Sequence, residues 1–207
     1  FKGVREGTEK NPYHPTVVEK GFIGFGKYNC KGLGGKITKT YNTWNGVLER
    51  CYCEKFSKRV STYKDVTVCE EWHNFQNFAQ WFEENYNPEV MQGWQLDKDI
   101  LVKGNKIYSP GTCCFVPQEI NSIFKSSKSY RGEYPIGVTE CCGNFRTGLN
   151  KGNTHIHLGT FKTIEEAFQA YKTEEEKYIK EVADKWKGKI TEQVYQAMYN
   201  YEVDIAD

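Results

Sequence analysis

Residues 96–121 read LDKDILVKGNKIYSPGTCCFVPQEIN, and this stretch decides the fold that we expect for the chain. A short strand is predicted over residues 95–101, and a turn from Val102 to Lys106 follows. A second strand from Cys113 to Val116 leads into a helix that carries Asn121. This order would bring the Asp97 carboxylate and the Asn121 amide to one ion, and oxygen ligands of these kinds suit Mg²⁺. A surface turn with charged residues is the alternative interpretation.

The same positions resemble the core of an HNH (His-Me finger) nuclease, a family of metal-dependent DNA endonucleases. The resemblance rests on Asp97-Lys98-Asp99, Gly104-Asn105-Lys106, Thr112–Val116 and Asn121. It implies an α+β fold with a ββα-metal domain that hydrolyses phosphodiester bonds of double-stranded DNA. In that fold Asp97 and Asn121 would hold a divalent metal such as Mg²⁺, and Asn105 would tie the turn together.

Lys98 occupies the position at which the family has the histidine that activates water. An unperturbed lysine, with a pKa of about 10.4, keeps its proton near neutral pH, so Lys98 suits phosphate binding better than the role of a base. The candidate catalytic residues are Asp97, Lys98 and Asn121, with Tyr108 and His73 as alternative bases. Two other functions stay open: a catalytically weak or inactive DNA-binding protein on the same fold, and a phage interaction protein that opposes host defence.

The chain after residue 132 predicts three short strands, 134–138, 144–149 and 155–161, followed by a long helix. A capping box, Thr163-Ile164-Glu165-Glu166, opens that helix. This order resembles the APETALA (ethylene-response) DNA-binding domain, which also occurs fused to phage HNH homing endonucleases. The resemblance implies that a three-stranded antiparallel sheet, packed on one helix, enters the major groove of DNA. The alternative is the solvated face of a small sheet.

The net charge of +1 conceals an alternation of basic and acidic segments. Residues 1–66 carry 13 Lys/Arg against 6 Asp/Glu, and residues 98–158 carry 8 against 4. Residues 67–97 have 6 acidic and no basic residues, and residues 159–207 have 7 basic against 11 acidic ones. Such segregation favours a nucleic-acid binder, and solvated helix faces are the alternative. The candidate DNA-binding residues are Lys58, Arg59, Lys106 and, on the outward face of the sheet, Arg146, Lys151, His155 and His157.

Apolar periodicity predicts amphipathic helices over residues 43–55 and from Trp72 to Asn85, with their aromatic side chains in the core. We expect an HNH-like domain with a glycine-rich, basic N-terminal segment over residues 1–124, and a linker over 125–131. The DNA-binding domain would follow over 132–187, and a last helix would lie within 188–207.

The eight cysteines include two adjacent pairs, Cys113-Cys114 and Cys141-Cys142, which suit a disulfide framework poorly. We therefore expect a reducing, cytoplasmic setting, and the resemblance to phage homing endonucleases implies that it is the cytoplasm of a phage's host cell. Cys51, Cys53, Cys69 and Cys113 are candidates for a structural zinc, as in some nucleases of this superfamily, with free buried thiols as the alternative. No stretch approaches the roughly 20 apolar residues that cross a bilayer, so no membrane partner is expected; the oligomeric state is left open.

Overall fold

The computed structural model describes residues 11–59, 63, 65–124 and 133–206, without the side chains of residues 57–59. The predicted linker, 125–131, and the side chains of Lys58 and Arg59 therefore lie outside the described residues. The chain forms two compact units, one from Phe1–Gln92 and Lys103–Phe115, the other from Gly93–Val102 and Val116–Asp207. The α+β class predicted from the sequence is confirmed.

The first unit is mainly helical, with one short parallel strand pair. Its elements are α1 (Lys39–Tyr52), α2 (Glu54–Arg59), β1 (Thr67–Val68), α3 (Phe75–Asn85), β3 (Ile107–Tyr108) and two 3-10 helices, Leu33–Gly35 and Glu70–His73. β1 pairs in parallel with β3. An aromatic core joins α1 to α3, because the Trp44 and Phe75 rings, both fully buried, lie 5.3 Å apart between centroids.

Both long helices of this unit begin at a polar cap. The Thr38 side chain accepts a hydrogen bond from Tyr41 N, and α1 starts at Lys39, earlier than the apolar stripe predicts. The prediction of one helix from Trp72 onward is wrong. Trp72 belongs to the 3-10 helix, and Asn74, whose backbone is extended, separates this helix from α3. The Asn74 side chain caps α3, because its Oδ1 accepts the N–H of Gln76 at 3.0 Å. A local side-chain cap thus interrupts a stripe that has helical spacing on both sides.

The second unit contains β2 (Gln95–Asp97), α4 (Gln118–Ile123) and the strands β5 (Val138–Cys141), β6 (Asn144–Lys151) and β7 (Thr154–Phe161). It ends with α5 (Ile164–Trp186) and α6 (Glu192–Tyr199). The last residue of β4 (Cys114–Val116) belongs to this unit. β4 forms a two-stranded sheet with β2. β5, β6 and β7 form the predicted three-stranded antiparallel sheet, with an irregularity in register after Thr147. The predicted position of its first strand, residues 134–138, is wrong, because β5 begins only at Val138, after the turn at Gly137.

The helix α5 starts where the capping box predicts, because Thr163 Oγ1 accepts the N–H of Glu166 at 3.2 Å. One face of the sheet packs on this helix. The buried residues of that core are Val138 and Leu149 from the sheet, Ala167, Phe168 and Tyr171 from α5, and Val203 from the C-terminal segment. The C-terminal segment is held by Lys172, whose ammonium donates to Val203 O at 2.7 Å.

Candidate functional site

β2 ends at Asp97 and not at residue 101 as predicted, because the Asp97 side chain binds the backbone of a sharp turn that follows the strand. Asp97 Oδ1 accepts the N–H of Asp99 at 2.7 Å and that of Ile100 at 2.9 Å. Burial raises the pKa of the Asp97 carboxyl, and the two N–H donors act in the opposite direction. Both hydrogen bonds end on Oδ1, so the carboxylate is fixed by one oxygen while Oδ2 takes no part in the turn.

Asn121 reaches β2 from α4. The preceding residue, Ile120, is fully buried and anchors the helix. The Asn121 amide nitrogen donates to Gln95 Oε1 on β2. Side chains two residues apart in a strand point to the same face, so Gln95 and Asp97 share one face of β2. The hydrogen bond therefore links the Asn121 amide to a side chain on the strand face that carries Asp97.

Gln95 is the residue of this arrangement that sequence reasoning missed. Its amide orients Asn121 and contributes no charge. The one signal in the sequence was its spacing of two residues from Asp97 in a short strand.

Lys98 is buried, with 8 % of its surface exposed, and its ammonium donates to Asp99 Oδ1 at 2.5 Å. Asp99 remains partly open to solvent, with 46 % of its side chain exposed. The chain therefore places a charge-paired cation directly after the Asp97 carboxylate. Such a cation can attract a phosphate, but a protonated amine cannot accept a proton from water.

The helix α4 is also attached to α5. Lys185 donates to both oxygens of Glu119 at 2.7 Å, and Trp186 Nε1 donates to Glu119 Oε2 at 2.8 Å. The Lys185 hydrogen bonds hold the pKa of Glu119 below its ordinary value. The Trp186 ring in turn packs edge-on against Trp94, at 6.0 Å between centroids.

The alternative bases lie in the first unit and are engaged there. His73 Nε2 is 3.1 Å from the Tyr52 hydroxyl, and burial lowers the pKa of His73. Tyr108 is buried on β3, and burial raises its pKa far above the ordinary value, the wrong direction for a base. In this unit Asn105 also binds both backbone groups of Ile107, at 2.8 and 3.2 Å, and so closes the loop before β3. The ammonium of Lys106 lies 3.8 Å from Asp65 at the surface.

The sheet turns a polar face away from α5. Strand register pairs Arg146 with Thr160, Gly148 with His157 and Asn150 with His155, so Arg146, His155 and His157 share that outer face. All three side chains are exposed, and His155 Nδ1 lies 2.9 Å from Asn150 Oδ1.

Lys151 does not belong to this face, so its predicted place there is wrong. It lies five positions after Arg146 in β6, and an odd spacing along a strand reverses the side. Its ammonium lies 3.2 Å from Glu181 and over the Tyr178 ring, both on α5.

The outer face carries no carboxylate within β5, β6 and β7. The one acidic residue of these strands, Glu140, is paired in register with Phe145, which packs against the core, and it accepts a hydrogen bond from the Tyr134 hydroxyl. The face is therefore built from an arginine, two histidines, amides and hydroxyls. This composition suits phosphates and base edges.

None of the four cysteines considered for zinc is part of a disulfide. Cys51, Cys53 and Cys69 are half-buried and Cys113 is buried, and burial raises the pKa of Cys69. Among the described residues no group of three or more His, Cys, Asp or Glu side chains is arranged to hold a metal ion.

No helix within the described part of the chain is long and apolar enough to span a membrane. None of the family models, curated proteins or solved structures compared with this chain matches it.

Proposed function

We propose that this chain is an HNH-type endonuclease that hydrolyses double-stranded DNA with a divalent metal ion. The observation that carries the proposal is the hydrogen bond from the Asn121 amide to Gln95, on the strand face of Asp97. It links the Asn121 amide on α4 to the strand that ends in the Asp97 carboxylate. The resemblance to HNH nucleases implies an amide and a carboxylate in these two places.

The donor atoms fit a hard ion such as Mg²⁺. Asp97 offers Oδ2 and Asn121 its amide oxygen, and Mg²⁺ takes oxygen ligands while keeping several waters. When bound, the ion would neutralise charge on the scissile phosphate and favour ionisation of a coordinated water. The chain itself orients the two ligands through the Asp97 turn and through Gln95.

The outer face of the sheet would bind the duplex. Arg146 is suited to a phosphate or a guanine edge, and the neighbouring amides and histidines add hydrogen bonds. The absence of carboxylates within the three described strands removes the repulsion that DNA would otherwise meet there.

Substitutions of the two proposed metal ligands test whether the protein cleaves DNA. Asp97→Asn keeps an acceptor for the two backbone N–H groups and removes the negative ligand, so cleavage of supercoiled and linear duplexes in Mg²⁺ should fall at least about a hundredfold without loss of folding. Asn121→Ala should give the same loss. Asn200→Ala is a matched control, because Asn200 is an exposed residue that ends α6. Duplexes that stay intact with the unmodified protein across pH and metals would refute the proposal.

A second function, duplex binding without cleavage, is favoured by one observation. Lys98 is buried and donates to Asp99 where the family has a base. If only the base is missing, Lys98→His should create or raise metal-dependent cleavage. A variant that binds DNA and stays inert would support the non-catalytic function.

A further inference from the structure

A glycine-rich hairpin precedes α1, and we call residues Cys30–Thr38 the leucine hairpin. Its arms are joined by an antiparallel bridge between Lys31 and Ile37 and by hydrogen bonds from Gly32 N to Lys36 O, 2.8 Å, and from Thr38 N to Cys30 O, 2.9 Å. The hairpin is thus a closed structure of its own.

The tip of the leucine hairpin exposes an apolar side chain completely. Leu33 has a relative exposure of 102 %. Gly34 and Gly35 follow with φ of 77° and 75°, a conformation that a side chain would strain, and a Cβ on either would meet no atom within 4 Å. The tip therefore projects into open space with Leu33 at its end.

The base of the hairpin is anchored. Thr38 both closes the hairpin and caps α1 through Tyr41 N at 3.2 Å. Its hydroxyl also lies 3.3 Å from Cys30 O. Because α1 carries the buried Trp44, the leucine hairpin is attached directly to the core of its unit.

The surroundings of Leu33 are basic. Lys31 and Lys36, on the two arms of the hairpin, are both exposed. Residues 11–39 contain five lysines against one glutamate, so no acidic cluster offsets them in this part of the chain. A protruding apolar side chain between two cations complements a duplex, which offers stacked bases between two rows of phosphates.

We propose that the leucine hairpin is a second DNA-contacting element, with Leu33 inserted as a wedge between base pairs in the minor groove and Lys31 and Lys36 on the flanking phosphates. The inference rests on the proposed function, since it takes duplex DNA as the partner. Proteins that insert an apolar side chain in this way unstack a base step and bend the duplex. The cost of unstacking falls when the step is already disrupted.

That cost supplies a specific test with the full chain. Affinity is measured for a mixed-sequence duplex and for the same duplex with a one-nucleotide bulge, in calcium to prevent cleavage, and bending is followed by energy transfer between end labels. The unmodified protein should prefer the bulged duplex and bend the intact one. Leu33→Ala should lose both effects and bind the intact duplex about tenfold more weakly, which equals about 1.4 kcal/mol. Val90→Ala is the matched control, because Val90 is an exposed apolar residue of the same unit, 56 % accessible.

The lysines have a separate readout. The double variant Lys31→Ala/Lys36→Ala should lower the slope of log affinity against log salt by about 1.8, since each phosphate contact contributes about 0.9. The control is Lys187→Ala/Lys189→Ala, which removes the same charge from two exposed positions within the acidic residues 159–207. This control should change the slope little.

The outcomes separate the two proposals. If the unmodified protein binds no duplex, the proposed function and the hairpin inference both fall. If it binds duplex DNA but Leu33→Ala keeps its bulge preference and bending, the hairpin inference alone is overturned. A Leu33-dependent affinity for anionic vesicles, without an effect on DNA, would also overturn it and identify a lipid-binding loop.

Discussion

Asp97 accepts two backbone hydrogen bonds and is also the proposed metal ligand, so substitutions to Ala and to Asn should have different effects. Asp97→Ala removes the acceptor of the Asp99 and Ile100 N–H groups, at 2.7 and 2.9 Å. A hydrogen bond to a charged group contributes about 1.5 kcal/mol or more, so this variant should lose about 3 kcal/mol of unfolding free energy. Asp97→Asn retains a neutral Oδ1 acceptor and removes a half-buried charge, so it should stay within about 1 kcal/mol of the unmodified protein.

The pH dependence follows from the raised pKa of Asp97. As pH rises, the unfolded chain releases this proton at the ordinary carboxyl pKa, whereas the folded chain releases it later. The unmodified protein therefore loses stability between these two pKa values, whereas Asp97→Asn does not. Relative to the unmodified protein, the Asn variant should gain stability as pH rises through this window.

Urea unfolding at several pH values measures these differences, and amide hydrogen exchange locates them. The Asp99 and Ile100 N–H groups should exchange faster in Asp97→Ala and near their original rate in Asp97→Asn. Mg²⁺ at a hundredfold excess over its Kd should stabilise the unmodified protein by about 2.7 kcal/mol and neither variant. If the Asn variant is as unstable as the Ala variant, the Asp97 acceptor does not hold the turn; if Mg²⁺ stabilises all three equally, the ion binds elsewhere.

Three further predictions rest on described hydrogen bonds and ion pairs. The buried Gln76 side chain makes hydrogen bonds to Ile23 O, Tyr28 O and Tyr28 N at 3.0 to 3.3 Å. Gln76→Ala should therefore lower the free energy of unfolding, measured in urea, by about 2–4 kcal/mol. A loss near zero would contradict this anchoring. Glu119→Gln should cost no more than about 1 kcal/mol at neutral pH, because the ion pair with Lys185 is partly exposed. Since the pKa of Glu119 is lowered, this contribution should vanish as pH falls through the lowered value, and Trp186 fluorescence should report it. Arg146→Ala should reduce the slope of log affinity for duplex DNA against log salt by about 0.9. Lys151→Ala should leave that slope unchanged, because the Lys151 ammonium is paired with Glu181. Equal slopes for the unmodified protein and Arg146→Ala would show that Arg146 contacts no phosphate.

Local patterns predicted those elements whose boundaries have a cause that is visible in the neighbouring sequence. The capping box at Thr163 places the start of α5, and the apolar stripe of Trp44, Val47 and Leu48 identifies the buried side of α1. The second and third strands of the sheet follow from Gly/Asn turns in the sequence, whereas the first was predicted too early. These features depend on neighbours in the chain, which a sequence displays directly.

The features that the sequence left unpredicted depend on residues distant in the chain. The Asn121–Gln95 hydrogen bond joins positions 26 residues apart, and two neutral amides carry no distinctive pattern. The burial of Lys98 is decided by packing around it, since its sequence context of two acids is equally typical of an exposed turn. Lys151 was misplaced for a different reason: the strand was predicted to end at residue 149, whereas β6 continues to Lys151, and the odd spacing from Arg146 puts Lys151 on the opposite side.

The six-residue helix α4 is too short to be stable by itself, so its position must come from tertiary contacts. Those contacts act on both sides: Asn121 binds β2, and Glu119 binds the end of α5. The same α5 packs under the three-stranded sheet. The helix that supplies the proposed metal ligand is therefore positioned by the unit that carries the proposed DNA-binding face, and a chain shortened before β5 should lose the Asn121 geometry along with the sheet. Such a fragment that still cleaved DNA through Asp97 would show that α4 is positioned without α5.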